Sequence, residues 1–401
     1  MFRLLSVLVL SLVVSSQAVA AVKWNNSGGE ESKSDPTNFW DRTKNAKKCF
    51  GPEFDHFSDK ISIKKITVQD KDFAAVNTPL GANTSVNCKF NYSSQLVPQP
   101  LIDAKINSKY GGSDNKRFQP LYEFLNTNIG LNRFEPNGAA QGRLKEFLIT
   151  WSSANALSKN VRFKLMKDFR LDFHVQSLIP TIIIAYSDIS GSLSTQERIQ
   201  VGQWINRLVE QSQKSAFPFR QDNKSYLRHL TALLWGIVID NEGLIKQAKQ
   251  GYQNAILDMR PDGTFPTDVS RGGSGLQYQN TVVNVLVSMA GYSTLIGENW
   301  IEYEINGRSI RDAAKWIDKA SADPSLNSIY GRKCDDGSYG TIEKPNMYYL
   351  QLQNTGETGI SWVPLYLTLT NDTLNFLSKN IRDYKGYWST SYGPQACIVN
   401  K

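Results

Sequence analysis

The sequence predicts an all-α domain preceded by a less regular segment. Three observations carry this. From about residue 115 onward apolar residues recur at helical spacing, the connectors between the periodic stretches are short and polar, and the residues before 100 show neither feature. Serial helices with short connectors favour helical hairpins, so a toroid or bundle is expected.

The chain opens on MFRLL, continues through LLSVLVLSLVV and reaches Ala18-Val19-Ala20 before Ala21. A basic start, a short apolar core and small residues form the pattern of a cleaved secretory signal, so residues 1–20 are assigned to it. The expected location is periplasmic or secreted. No later segment offers about 20 continuous apolar residues, so no membrane insertion of the mature chain is expected.

Residues 21–106 form the irregular segment. Its first part is polar, and KISIKKITV and SVNCKFNY carry alternating, β-prone residues among Pro79, Pro98 and Pro100. Residues 107–401 form the main domain. Its periodic stretches are RFQPLYEFLNTNI (117–129), AAQGRLKEFLITWSSANAL (139–157), ERIQVGQWINRLVEQS (197–212), SYLRHLTALLWGIVI (225–239), NEGLIKQAKQGYQNAILDM (241–259) and LQYQNTVVNVLVSMAGYSTLI (276–296). In the third, Val201, Trp204, Ile205, Leu208 and Val209 share one face.

The four cysteines, Cys49, Cys88, Cys334 and Cys397, suit two disulfides in an exported chain. The simplest pairing joins Cys49 to Cys88 and Cys334 to Cys397, although other connectivities are open. Their spacing does not resemble a zinc site, and the histidines are only His56, His174 and His229, so neither a metal nor another cofactor is expected. The formal charge is +8, or +7 once Arg3 leaves with the signal. An anionic partner follows. The basic residues are spread without a nucleic-acid motif, which favours an acidic polysaccharide over nucleic acid. Oligomeric state is not legible.

One connector, RPDGTFPTDVSRGGSG, forbids a continuing helix through Pro261, Pro266 and its glycines. Ser274 and Gln277 then stand three apart before an apolar run, a capping-box pattern that puts Tyr278 in the first helical turn. Negative charge is favoured there by the helix dipole, and Arg271, seven residues earlier, adds a second positive influence if the turn bends back. The bland alternative is a helix-surface tyrosine and a solvated arginine.

The segments KYGGSD (109–114), NKSY (223–226), GTFPTDVSR (263–271) and YQN (278–280) occur in an order and at separations that resemble the alginate lyase family. That family reads Lys-Tyr-x-Gly-Ser-Asp, Asn-His-Ser-Tyr, and Gly-Phe-x-Pro followed by an acidic residue and arginine, with a catalytic tyrosine seven further on. The resemblance covers roughly residues 107–295. It implies an incomplete (α/α) toroid that cleaves a uronic-acid polymer by β-elimination. Lys224 departs from the pattern, standing where the family has histidine.

Elimination removes the C5 proton, α to a carboxylate, and expels the oxygen at C4. The carboxylate must first be neutralised, because the enolate-like state adds a second negative charge. On the resemblance, Asn223, Arg271 and Lys224 take that role, and Tyr278 acts as base and then as acid. One group serving both steps suits sugars whose C5 hydrogen and C4 oxygen share a face, namely mannuronate and glucuronate. Lys109 and Tyr110 match the segment near a substrate-covering loop, Trp151 is a candidate for stacking on a sugar, and Tyr226 for orienting one. Lys224→His is expected to retain activity, and His229 is read as structural. Two other classes remain: a helical-toroid glycoside hydrolase using carboxylates such as Asp114, Asp222 or Asp268, and a non-catalytic polysaccharide-binding protein.

Overall fold

The structure, a computed structural model, describes residues 96–101, 113–134, 138–158, 169–213, 223–331, 344–350 and 359–382. All of these lie in one compact unit, residues 33–401. The expected signal at residues 1–20, the β-prone stretches, the four cysteines, Lys109 and Tyr110 lie outside the described residues. Among the described residues no helix is long and apolar enough to cross a membrane.

The elements are α1 (Ser113–Phe134), α2 (Ala139–Ser153), α3 (Phe169–Ile189), α4 (Thr195–Gln213), α5 (Asn223–Val238), α6 (Glu242–Asp258), α7 (Pro266–Val269), α8 (Gly275–Ser293), α9 (Ile310–Ala322), α10 (Asn327–Gly331), α11 (Val363–Thr370) and α12 (Leu377–Arg382). Extended pairing among the described residues includes an isolated bridge between Ile305 and Arg308.

The packing alternates between two layers. α1 packs on α3, α3 on α5 and α5 on α8, which makes a continuous inner series. The intervening helices cover it from outside: α2 touches α1 and α3, α4 touches α3 and α5, α6 packs on α5, and α9 on α8. Sequence explains the division. α8 is buried nearly all round, with Val282, Val283, Val285, Leu286, Val287, Met289 and Ala290 on every face, as an inner helix must be. α6 instead buries one stripe, Leu244, Ala248, Tyr252, Ala255 and Ile256, at helical spacing.

Close approach of α5 and α6 depends on Gly251. A Cβ there would lie 2.3 Å from the ring of His229 on α5. Each large buried aromatic contributes roughly 1.5–3 kcal/mol by leaving water, provided its polar atom finds a partner. Trp204 donates from Nε1 to the Ala156 carbonyl at 2.8 Å and Trp235 to Asn206 Oδ1 at 3.1 Å, so both meet that condition.

Trp151 corrects an expectation. It is fully buried, tilts against Phe147 at 4.6 Å between ring centroids, and donates from Nε1 to the Pro98 carbonyl at 2.8 Å. A side chain with no accessible face and a satisfied N–H does not stack on a sugar. Trp151 ties residues 96–101 to α2.

Candidate active site

The connector between α6 and α8 is built to close tolerances. Arg260 N–H donates to the Thr264 carbonyl at 2.9 Å and Gly263 N–H to the Arg260 carbonyl at 3.0 Å, while Asp262 Oδ1 accepts from the Thr264 N–H at 3.0 Å. Gly263 has φ +91°, and a Cβ there would meet the Asp312 carbonyl oxygen at 2.4 Å, so both conformation and space require glycine. Pro266 then opens α7, where its missing N–H costs nothing.

Gln279 fastens this connector to α8. Its Oε1 accepts from the Phe265 N–H at 2.9 Å and its Nε2 donates to the Gly263 carbonyl at 2.9 Å, and the residue is fully buried. Sequence reasoning assigned Gln279 no role. Its signal was adjacency: it follows Tyr278 directly, so it is turned about 100° around the helix from it, towards the connector.

Arg271 sits at the far end of α7. Its Nε donates to the Thr267 carbonyl at 3.2 Å, and a terminal nitrogen lies 3.6 Å from Asp268 Oδ1. Asp268 is fully buried and also accepts from Thr267 Oγ1 at 3.1 Å. Held from behind in this way, the guanidinium carbon lies 4.0 Å from the centroid of the Tyr278 ring. Both side chains are partly exposed. The bend that brings Arg271 back over Tyr278 uses Gly272 at φ +51° and a 3-10 turn through Gly272–Ser274. The solvated-arginine alternative is thereby set aside.

The helix start is where expected but is capped differently. Ser274 is the N-cap and Gln277 the third helical residue, yet Ser274 makes no side-chain capping bond. Gln277 Oε1 instead accepts from Asn346 Nδ2 at 2.6 Å. The capping-box reading is corrected because the glutamine is engaged elsewhere.

Asn223 is the first residue of α5 and is buried, and its Oδ1 has no hydrogen-bond partner among the described residues. Lys224 follows it in the first turn; its side chain lies outside the described residues. Tyr226 is 1% exposed, and its ring packs on Phe265 at 5.9 Å between centroids. Its expected contact with sugar is corrected to a packing role, one that sets the first turn of α5 against the connector carrying Arg271. α5 also packs against α8. Asn223 and the Arg271–Tyr278 pair therefore sit on three adjoining elements.

His229 is not a replacement base. Wedged against Gly251, its imidazole is pushed down to about 3 by burial and by the neighbouring Arg228 charge. His174 stacks on Phe118 at 4.9 Å, far along the chain from these segments. Of the carboxylates considered for hydrolysis, Asp268 is enclosed and paired with Arg271, whereas Asp222 and the side chain of Asp114 lie outside the described residues.

The alginate lyase family profile matches residues 134–326, which contain the segments carrying Asn223, Arg271 and Tyr278. The chain is alginate-lyase-like. A curated polysaccharide lyase of Stenotrophomonas maltophilia is 25% identical over 154 residues, covering 37% of this chain and 45% of that protein, so the match spans about half the relative's length. Among solved structures, alginate lyase A1-III from Sphingomonas species A1 superposes with a TM-score of 0.59 at 19% identity, covering 92% of this chain and 97% of that one. A substituted form of the same enzyme in complex with a tetrasaccharide gives 0.58 at 18% identity over 86% and 90%. At that identity the likeness establishes the fold, the alginate lyase (α/α) toroid, which agrees with the two alternating helical layers.

Proposed function

We propose that this protein is a polysaccharide lyase that cleaves a mannuronate- or glucuronate-type polymer by β-elimination. The observation that carries the reading is the Arg271 guanidinium 4.0 Å over the Tyr278 ring, within the stretch that matches the family. A tyrosine and a fixed cation held face to face place a proton acceptor beside a carboxylate binder.

The step assigns each group a task. Arg271, the Asn223 amide and the Lys224 ammonium hold the carboxylate of the sugar and spread the charge that develops as C5 loses its proton. Tyr278, in its deprotonated form, takes that proton through its phenolic oxygen. The C5–H electron pair becomes the C4–C5 double bond, the C4–O bond breaks, and the same phenol returns the proton to the leaving oxygen. One fragment ends in an unsaturated uronate and the other in a hydroxyl.

Asn223 takes this task through its Nδ2 donors, because a carboxylate only accepts; its buried Oδ1, without a partner among the described residues, is left to accept from a sugar hydroxyl, an unmet buried polar atom costing about 1–3 kcal/mol. Asp268 sets the direction of Arg271 without entering the reaction. Use of Tyr278 for both proton transfers favours sugars with the C5 hydrogen and C4 oxygen on one face, and His229 offers no second base. The carboxylate-pair hydrolase loses ground because Asp268 is enclosed.

An anionic polysaccharide is accordingly the proposed partner, met outside the cytoplasm if residues 1–20 act as a signal. The test is ultraviolet product analysis on mannuronan, guluronan, glucuronan and pectate. Absorbance from an unsaturated end should grow on mannuronan or glucuronan and stay flat on guluronan and pectate. Saturated reducing ends would indicate the hydrolase, and intact polymer that is nevertheless bound would indicate the binding protein.

A further inference from the structure

We infer that Asn346 is a positioning residue for Tyr278 and Arg271, through a strap that the C-terminal part of the chain lays across the start of α8. The inference rests on the lyase reading above.

Asn346 touches the segment that joins the two stacked residues near each of its ends. Its backbone N–H donates to the Gly273 carbonyl at 2.6 Å, two residues beyond Arg271. Its side-chain Nδ2 donates to Gln277 Oε1 at 2.6 Å, one residue before Tyr278. Two further C-terminal contacts extend the grip. Asn327 Nδ2 donates to the Gly272 carbonyl at 3.0 Å, and Asn280 lies between the Gly359 carbonyl, which it donates to at 3.0 Å, and Trp362 Nε1, from which it accepts at 2.9 Å.

The need for such a strap follows from composition. Residues 272, 273 and 275 are glycine, Gly272 adopts φ +51°, and glycine loses more conformational freedom on ordering than any other residue. The helix start lacks a side-chain cap of its own. Left to local preferences, the Arg271–Gly275 turn would sample several directions, and the guanidinium would not stay over the ring. Asn327 and Asn346 take the carbonyls of consecutive glycines and fix that direction. The glutamine that local sequence offers as a capping partner is drawn into the strap instead.

A residue acting this way affects the reacting geometry more than polymer affinity. A displacement of about 1 Å in such a group costs up to roughly 10²-fold in rate. The test is Asn346→Ala, Gln277→Ala and the double variant, each measured for kcat, KM and amide hydrogen exchange. Expected is a fall in kcat of about 10- to 100-fold in each single variant, with KM within a few-fold of wild type. The double variant should fall no further than either single one, since both remove the same bond. Exchange should quicken across residues 271–279 and remain unchanged in α3 and α4, and this readout does not require turnover.

Unchanged kcat in an active, folded Asn346→Ala, or additive losses in the double variant, would overturn the inference. So would unaltered exchange across 271–279, whatever the activity. Failure of the lyase reading looks different: wild-type protein would yield no unsaturated product on any uronate polymer while the exchange response to Asn346→Ala persisted.

Discussion

Replacing Gln279 with leucine removes both hydrogen bonds that fasten the Arg271 connector to α8 while keeping a side chain of similar bulk. The Phe265 N–H and the Gly263 carbonyl, each in a fully buried residue, are then left without the partners they have at 2.9 Å. An orphaned buried polar group costs about 1–3 kcal/mol, so the pair should cost roughly 2–6 kcal/mol. A domain of this kind has about 5–15 kcal/mol in total, which makes the change large enough to approach unfolding. Urea denaturation followed by tryptophan fluorescence reads the difference, with wild type and Gln279→Leu compared at matched slope. Turnover should fall too at temperatures where the variant stays folded, because the connector that aims Arg271 has lost its anchor. A loss below about 1 kcal/mol would refute the claim that Gln279 fixes the connector.

Arg271→Lys should lower turnover by about 10²–10³, since a lysine cannot lie flat over the Tyr278 ring while also holding a carboxylate through two bonds; steady-state kinetics on the responsive polymer checks this. Gly275→Ala should destabilise and inactivate together, because the added Cβ lies 2.3 Å from the Val269 carbonyl oxygen and 2.6 Å from Asn327 Oδ1; melting temperature and kcat measured on one preparation should both drop. His229 is held neutral in the folded chain, its value lowered from 6.5 to about 3, so the unfolded chain takes up a proton that the folded one refuses. Stability linked to it is fully present above pH 6.5 and is lost as pH falls towards 3, and His229→Phe should flatten the decline in melting temperature across that window.

Much of the fold was legible because its outer helices bury one stripe and expose another. The stretch read at 197–212 lies within α4 (Thr195–Gln213), and that read at 241–259 brackets α6 (Glu242–Asp258). α3 escaped the reading: it is buried along Val175–Ser187 and contains Pro180, so it shows little helical period and carries a residue that ordinarily ends a helix. α9 carries a legible start as well, for Ser309 and Asp312 form a capping box ahead of Ala313, Ala314 and Ile317.

At the candidate site, Arg271 and Tyr278 are legible from their spacing and by resemblance, since the glycine-rich turn at 272–275 brings the two together across seven positions. What periodicity does not distinguish is a buried aromatic from one facing a ligand. Trp151 and Tyr226 satisfy the apolar stripe of their helices as readily as they would serve a sugar, and only the packing on Phe147 and Phe265 decides between the two. The fastenings supplied by Gln279, Asn327 and Asn346 were illegible because each depends on a contact across the fold.

In the proposed elimination Tyr278 moves the proton under the charge of Arg271. The most direct test is Tyr278→Phe, a change of one hydroxyl, measured for polymer binding and for ultraviolet-absorbing product side by side with wild type. The account predicts binding nearly equal to wild type and no unsaturated product; product formation at the wild-type rate in Tyr278→Phe would contradict it.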